Sequence, residues 1–339
     1  MKRILIDTDI GTDVDDAMAL SLAALSPELI LEGVTTVHGD APLRARIARR
    51  LLMLAGRADV PVVAGASFPM QAPLPPNFHW QPRLRGHEGR GILSEEELAP
   101  SADKEAVRDD AAAFIVEKAR QYRGELAVIA IGSLTNVARA LQLEPRLADW
   151  LHDLTIMGGM VDASRFDWHP MLETNLNCDP QATREVFASG IPLTLVPMEV
   201  TTQVFLTAEQ RAEMRSWGSP LATTLVTLME EMLEGMASLS EELGLPADFY
   251  QGRTFMHDPL AIYTSMATQH VTTRRMNIAI EEIDQTVRTI AYADRPPNAW
   301  VCDRVEPAAF VDFWMGRIRS QSARSVKSPD TAATQVAQN

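Results

Sequence analysis

Cysteine is nearly absent from this chain of 339 residues: Cys178 and Cys302 stand alone. Their number and spacing exclude a disulfide framework and a cysteine zinc site, and they fit a reducing cytoplasm. Positive charge is also scarce. With 31 Lys and Arg against 45 Asp and Glu, the formal net charge is −14, which repels polyanions, so nucleic acid is not an expected partner. Long hydrophobic runs are missing too. Only Ile4-Leu5-Ile6 separates Met1-Lys2-Arg3 from the first acids, too little for the apolar stretch of a secretory signal. The most apolar long helical stretch, Leu221 to Leu245, is broken by Glu230, Glu231, Glu234, Glu241 and Glu242, which a membrane span does not tolerate. A soluble protein without membrane association is expected.

What the chain does have is acid in one place. Asp7-Thr8-Asp9-Ile10-Gly11-Thr12-Asp13-Val14-Asp15-Asp16 carries five carboxylates directly after an apolar run. Like charges that close raise one another's pKa and repel. A hard divalent cation such as Ca²⁺ or Mg²⁺, taking oxygen ligands, relieves that repulsion. Helix capping accounts for one or two of the aspartates, since Asp favours helix starts, but not for five. The segment reads as strand, glycine-containing loop and helix, with Asp15 and Asp16 opening the helix.

The rest of the chain repeats the alternation. Short apolar strands are expected at 31–37, 60–65, 126–131, 154–157 and 193–197, separated by helices. Continuous apolar strands of this kind form a mostly parallel sheet covered on both faces. The expected fold is therefore α/β, an open, Rossmann-like sheet flanked by helices in one large domain over residues 1–319. Asp9, His38, Asp40, Gly132, Asn136, Gly158 and Glu199 each follow a strand, which places them on the rim where such sheets bind ligands. Residues 67–108, rich in Pro, Arg and Gly, form an overlong connection expected to overhang that rim. Thr272 to Ala293 reads as a small antiparallel addition. The polar stretch 320–339 reads as a disordered tail. Met229, Met232 and Met236 recur at helical spacing and read as core.

Strand-Asp7-x-Asp9-x-Gly11-x-Asp13-x-Asp15-Asp16-Ala17 resembles the N-terminal signature of the inosine-uridine-preferring nucleoside hydrolase family. Four further segments resemble that family in its order: Val34-Thr35-Thr36-Val37-His38-Gly39-Asp40, Ile131-Gly132-Ser133-Leu134-Thr135-Asn136, Glu173-Thr174-Asn175 with Asp179-Pro180, and His257-Asp258-Pro259-Leu260-Ala261. Together they span roughly residues 1 to 315, and their number and order give the match its specificity.

The resemblance implies one Ca²⁺ per subunit, bound by the carboxylates of Asp9, Asp16 and Asp258 and the backbone carbonyl of Thr135. It implies hydrolysis of the N-glycosidic bond of a ribonucleoside to ribose and free base, with Asp9 as general base for a water held at the ion. Asp15, Asp40, Glu173 and Asn175 would bind the ribose, and His87 matches a family loop histidine near the sugar. His257 would serve the nucleobase, either as general acid or as a binding group. A homodimer or homotetramer is implied as well.

Several residues depart from the family pattern. The signature is two residues longer than its commonest form, so Asp13 and Asp15 compete for one place. Asp40 stands where Asn is usual and Ser133 where Pro is usual, and an expected Gly-Asn pair between Gly159 and Glu173 is missing. Asp179 before Pro180 also reads as a simple helix cap, as does Asp258 before Pro259. Phe249, Tyr250, Trp80 and Trp168 are aromatic candidates for stacking on a base, with core packing as the alternative. Two other functions fit parts of the sequence: a non-catalytic nucleoside or ribose binder, and a haloacid-dehalogenase-like Mg²⁺ phosphatase, which shares the strand-Asp-x-Asp opening but not the rest.

Overall fold

A computed structural model describes residues 1–70, 87–99, 110–165, 173–242, 250–267, 269–283 and 286–325. The apolar runs become strands close to the expected places: β1 (Lys2–Thr8), β2 (Leu29–Thr36), β3 (Val62–Ala64), β4 (Leu126–Ala130), β5 (Asp153–Met157) and β6 (Leu193–Val196). Two short strands, β7 (Phe205–Leu206) and β8 (Thr254–Phe255), pair antiparallel in a separate ribbon. The chain then returns to the main sheet through β9 (Val271–Ile283), β10 (Thr286–Tyr292) and β11 (Ala299–Val305).

The nine-stranded sheet runs β10-β9-β11-β6-β5-β4-β1-β2-β3. From β3 to β11 every neighbouring pair is parallel, whereas β9 runs antiparallel to both β11 and β10. The β9–β10 hairpin is the antiparallel addition expected from Thr272–Ala293. Strand β11 was not anticipated, because the apolar Ala299-Trp300-Val301-Cys302 follows two prolines and runs into Asp303-Arg304, so its pattern resembles a loop edge.

Side chains of β1 alternate between the two faces, as the period of a strand requires. Ile4 and Ile6 enter one apolar cluster and Leu5 the other. Both faces of the sheet are thus covered, and the strand is apolar throughout. Helix α1 (Asp15–Leu25) is buried from Asp15 to Ala24, as expected of a helix apolar all round. Met229 and Met232 are fully buried; the side chain of Met236 lies outside the described residues. The last helix, Pro307–Ser325, runs past residue 319 with Phe310, Trp314 and Ile318 packed inside. The remainder of the expected tail, 326–339, lies outside the described residues, as do Trp80, Trp168 and Phe249.

Strand β1 lies between β2 and β4, and the chain leaves it to one side and later returns on the other. That is the topological switch point, where an open α/β sheet forms a crevice beyond its strand ends. The acidic loop from Asp9 to Val14 leaves β1 there.

Candidate metal and active site

Three carboxylates meet at this crevice. Asp15 and Asp16 open α1, whose positive N-terminal end favours them. Asp258 lies in the first turn of the helix His257–Met266. One oxygen from each of Asp15, Asp16 and Asp258 lies within 4.8 Å of the others, and all three residues are buried. The Asp258 amide donates to Oδ2 of Asp15 at 3.3 Å, and the Thr8 hydroxyl donates to Oδ1 of Asp16. Burial, and then repulsion from neighbouring carboxylates, pushes all three well above the ordinary range. Hard oxygen donors held this close against their own repulsion fit a divalent cation of the Ca²⁺ or Mg²⁺ type.

Asp9 is not one of the three. Its carboxyl is pushed up by burial, which Arg44 partly offsets, and its charge in turn raises Asp16 and Asp258. The expected ion set named Asp9 with Asp16 and Asp258; the tight trio has Asp15 in its place. Of the two competitors Asp13 and Asp15, Asp15 is the one that lies in the trio. Asp13 turns to the adjacent backbone, accepting from Val14 N at 2.6 Å, and burial lifts it to about 6.

Thr135 opens the helix Thr135–Leu143, and its hydroxyl donates to Oδ2 of Asp179 at 2.8 Å. Asp179 caps its own helix through Ala182 N at 3.0 Å and also accepts from Met70 N at 2.8 Å. Asp258 does not cap, since Met256 holds the N-cap position.

The expected sugar contacts all carry structural hydrogen bonds. Asp40 caps the helix Ala41–Leu54, α2, by accepting from Leu43 N at 3.1 Å. Glu173 caps a short helix, accepting from Asn175 N at 2.6 Å and Leu176 N at 2.9 Å, and burial lifts its carboxyl to about 7. The Asn175 amide bridges Ile131 O at 3.2 Å and Met157 O at 3.3 Å, tying the C-terminal ends of β4 and β5 together. His87 is fully buried and accepts from Gly89 N at 3.1 Å through Nδ1. Burial lowers it to about 3, so it is neither solvated nor charged at neutral pH.

His257 pairs through Nδ1 with the Thr201 hydroxyl at 2.7 Å and stacks on Phe255 with ring centroids 5.4 Å apart. Burial lowers it to about 4. Tyr250 packs edge-on against the same Phe255, its centroid 5.7 Å away, and the charges of Asp13 and Asp15 add to burial in raising its hydroxyl. It therefore belongs to the border of the acidic site.

Two residues, Thr201 and Arg44, escaped the sequence reading, and Gly132 was placed on the rim without a stated role. Thr201, on the rim after β6, is the partner of His257. Gly132 has its role from closeness: a Cβ there would lie 2.9 Å from Asp9 N. Arg44 reaches the acidic loop from α2, but Arg46, Arg49 and Arg50 on the same helix look alike in sequence.

The parallel sheet with its acidic crevice defines the chain as an α/β protein of the ligand-binding, doubly wound type. The model of the inosine-uridine preferring nucleoside hydrolase family matches residues 4–312, and the chain belongs to that family. A probable uridine nucleosidase 2 of Arabidopsis thaliana is 32% identical over 94% of this chain and 97% of its own. The pyrimidine-specific ribonucleoside hydrolase RihA of Shigella boydii is 30% identical over 93% and 98%. Among solved structures, a purine-preferring ribonucleoside hydrolase from Gardnerella vaginalis superposes with a TM-score of 0.77 at 26% identity, covering 95% of this chain and 99% of that one. Membership of that family over residues 4–312 sets aside the dehalogenase-like phosphatase.

Proposed function

We propose that the protein hydrolyses the N-glycosidic bond of ribonucleosides, with pyrimidine nucleosides, uridine first, as its substrates. The observation that carries this reading is the convergence of Asp15 and Asp16 with Asp258 at the switch point of the sheet. The pyrimidine preference rests on the uridine nucleosidase and pyrimidine-specific hydrolase among its relatives.

Asp15, Asp16 and Asp258, with Asp9 and the Thr135 carbonyl beside them, would hold Ca²⁺, which supplies positive charge that acidifies an oxygen ligand and orients sugar hydroxyls. Asp9 takes the proton of the attacking water, the task of a carboxylate positioned beside it. Asp15, Asp40, Glu173 and Asn175 hold the ribose, and their fixed placement converts binding into rate. As the glycosidic C–N bond breaks, the ribose carbon gains oxocarbenium character, which the surrounding carboxylates stabilise. The base departs against His257. Neutral at pH 7, this imidazole supports the leaving nitrogen by hydrogen bonding, and Thr201 fixes its orientation. Both cysteines are buried free thiols, in keeping with a cytoplasmic setting, and no helix among the described residues is long and apolar enough to cross a membrane. Assembly as a homodimer or homotetramer is part of the same reading and is checked by light scattering.

Incubation with uridine, cytidine, inosine and adenosine in Ca²⁺, followed by assay of free ribose and free base, tests the proposal. Release from uridine and cytidine ahead of the purine nucleosides is expected. Binding of all four without release of ribose overturns it in favour of a nucleoside sensor.

A further inference from the structure

Arg44 is almost wholly buried, 4% exposed, yet none of its hydrogen-bond partners here is a carboxylate. Its Nε donates to His38 O at 2.7 Å, Nη1 donates to Asp9 O, and Nη2 donates to the Thr12 hydroxyl at 3.0 Å. A buried guanidinium is costly unless its donors are satisfied, and this one spends its fork on the backbone and side chains of two loops at the crevice. A third loop closes over the same point. Glu88 N donates to Gly11 O at 2.6 Å, His87 N to Thr12 O at 3.3 Å, and the Thr12 hydroxyl to Glu88 Oε1 at 3.1 Å. The approach is tight, and the backbone at position 11 is one that a residue with a side chain rarely adopts. A Cβ there would lie 3.1 Å from Glu88 Oε2 and 3.2 Å from Arg44 Nη1, on a backbone at φ +134°.

We propose that Arg44 is a positioning residue for the reaction: its fork, completed by Thr12 and Glu88, sets the peptide plane of Asp9 and thereby the direction of the Asp9 carboxylate toward the Asp15, Asp16 and Asp258 cluster. The segment from Asp9 to Val14 is irregular and carries two of the five acids. Without a tether, such a loop loses its geometry to chain entropy and to repulsion between its own charges. Gripping the carbonyl of Asp9 fixes the bond from which its side chain departs. The grip also brings a positive charge up behind the acidic loop. A lysine at position 44 has the charge but not the planar fork that reaches three acceptors at once.

The inference rests on the proposed hydrolysis for its kinetic arm only; its binding arm stands without it. The test compares Arg44→Lys, Arg44→Met and Thr12→Val with the parent chain. Ca²⁺ binding is followed by calorimetry, folding by circular dichroism, and uridine hydrolysis at saturating Ca²⁺ by kcat and KM. The expected result is Ca²⁺ affinity weakened about tenfold and kcat lowered about tenfold or more in Arg44→Met, with KM near that of the parent; ten is the factor that corresponds to about 1.4 kcal/mol. Arg44→Lys should recover only part of the loss, and Thr12→Val should show the same pattern more weakly. A folded Arg44→Met chain that matches the parent in Ca²⁺ affinity and kcat overturns the inference. So does an unfolded Arg44→Met accompanied by a Thr12→Val chain indistinguishable from the parent. If the parent itself releases no ribose, the proposed hydrolysis fails, and the Ca²⁺ affinities alone decide the positioning role.

Discussion

The backbone amide of Asp258 donates to Oδ2 of Asp15 at 3.3 Å, joining residues 243 positions apart. This bond holds two mutually repelling carboxylates in one buried cluster with Asp16. The stability of the region should therefore depend on a cation. Chelation is expected to abolish activity reversibly and to lower Tm, and Ca²⁺ at about 100 times its Kd should restore about 2.7 kcal/mol of stability. Asp258→Asn should lose the Ca²⁺-dependent rise while melting no lower than the parent in chelator, because one repelling charge is gone. Differential scanning calorimetry with and without Ca²⁺ reads both, and an undiminished Ca²⁺ response in Asp258→Asn refutes the cluster as the site.

Asp7 contributes to the pH dependence of the metal-free chain, alongside Asp13 and Glu173. Its Oδ1 accepts from Thr35 at 2.6 Å and Asn136 at 2.8 Å, whereas its buried Oδ2 has no partner. Burial lifts the carboxyl from 3.8 to about 7. Between those values the native chain keeps a proton that the unfolded chain has released, so stability falls as pH rises. In chelator, Tm should drop between about pH 5 and pH 7.5, and Asp7→Asn should make that drop shallower, with Asp13 and Glu173 supplying the remainder. An Asp7→Asn chain whose Tm falls as steeply as the parent's would show that Asp7 ionises normally.

The sheet was legible because its strands are apolar runs bounded by glycine, proline or acids, which leave little choice of element. Ile4-Leu5-Ile6 and Leu126-Ala127-Val128-Ile129 are examples. The site was legible where charge crowds in sequence, as in Asp15-Asp16, or where a motif recurs in order, as in His257-Asp258-Pro259. What sequence hid were contacts made only by folding. Whether Asp9 or Asp15 meets Asp258 depends on the path of the loop, and the grip of Arg44 on Asp9 depends on helix α2 lying beside it. The burial of His87 was equally hidden, because a histidine between glycines looks exposed until the loop is laid on Thr12.

Gly132 should tolerate no side chain. A Cβ at this position would lie 2.9 Å from Asp9 N, 3.0 Å from Asp9 Cβ and 3.0 Å from Val37, with two of those contacts on the residue assigned as the base. Overpacking of this kind costs about 1–3 kcal/mol. Gly132→Ala is expected to lower Tm modestly and to lower kcat for uridine disproportionately, because the strain falls on Asp9. Equal kcat in the two chains at a temperature well below either Tm would show that Asp9 can shift without consequence.

His257 offers a test that separates binding of the leaving base from all other steps. Its pKa of about 4 leaves it neutral through the physiological range, and its Nδ1 is held by Thr201 at 2.7 Å. In the proposed reaction its contribution is to support charge that builds on the departing base. His257→Ala should therefore lower kcat for uridine by about 10²-fold, the usual effect of removing a hydrogen bond to developing charge. The loss should shrink for 4-nitrophenyl riboside, whose phenolate leaves unaided. Rates for the parent should show no histidine ionisation between about pH 5 and 8, since protonation occurs only below that interval. Equal losses on both substrates would remove His257 from the leaving group and assign it to the sugar or to the fold.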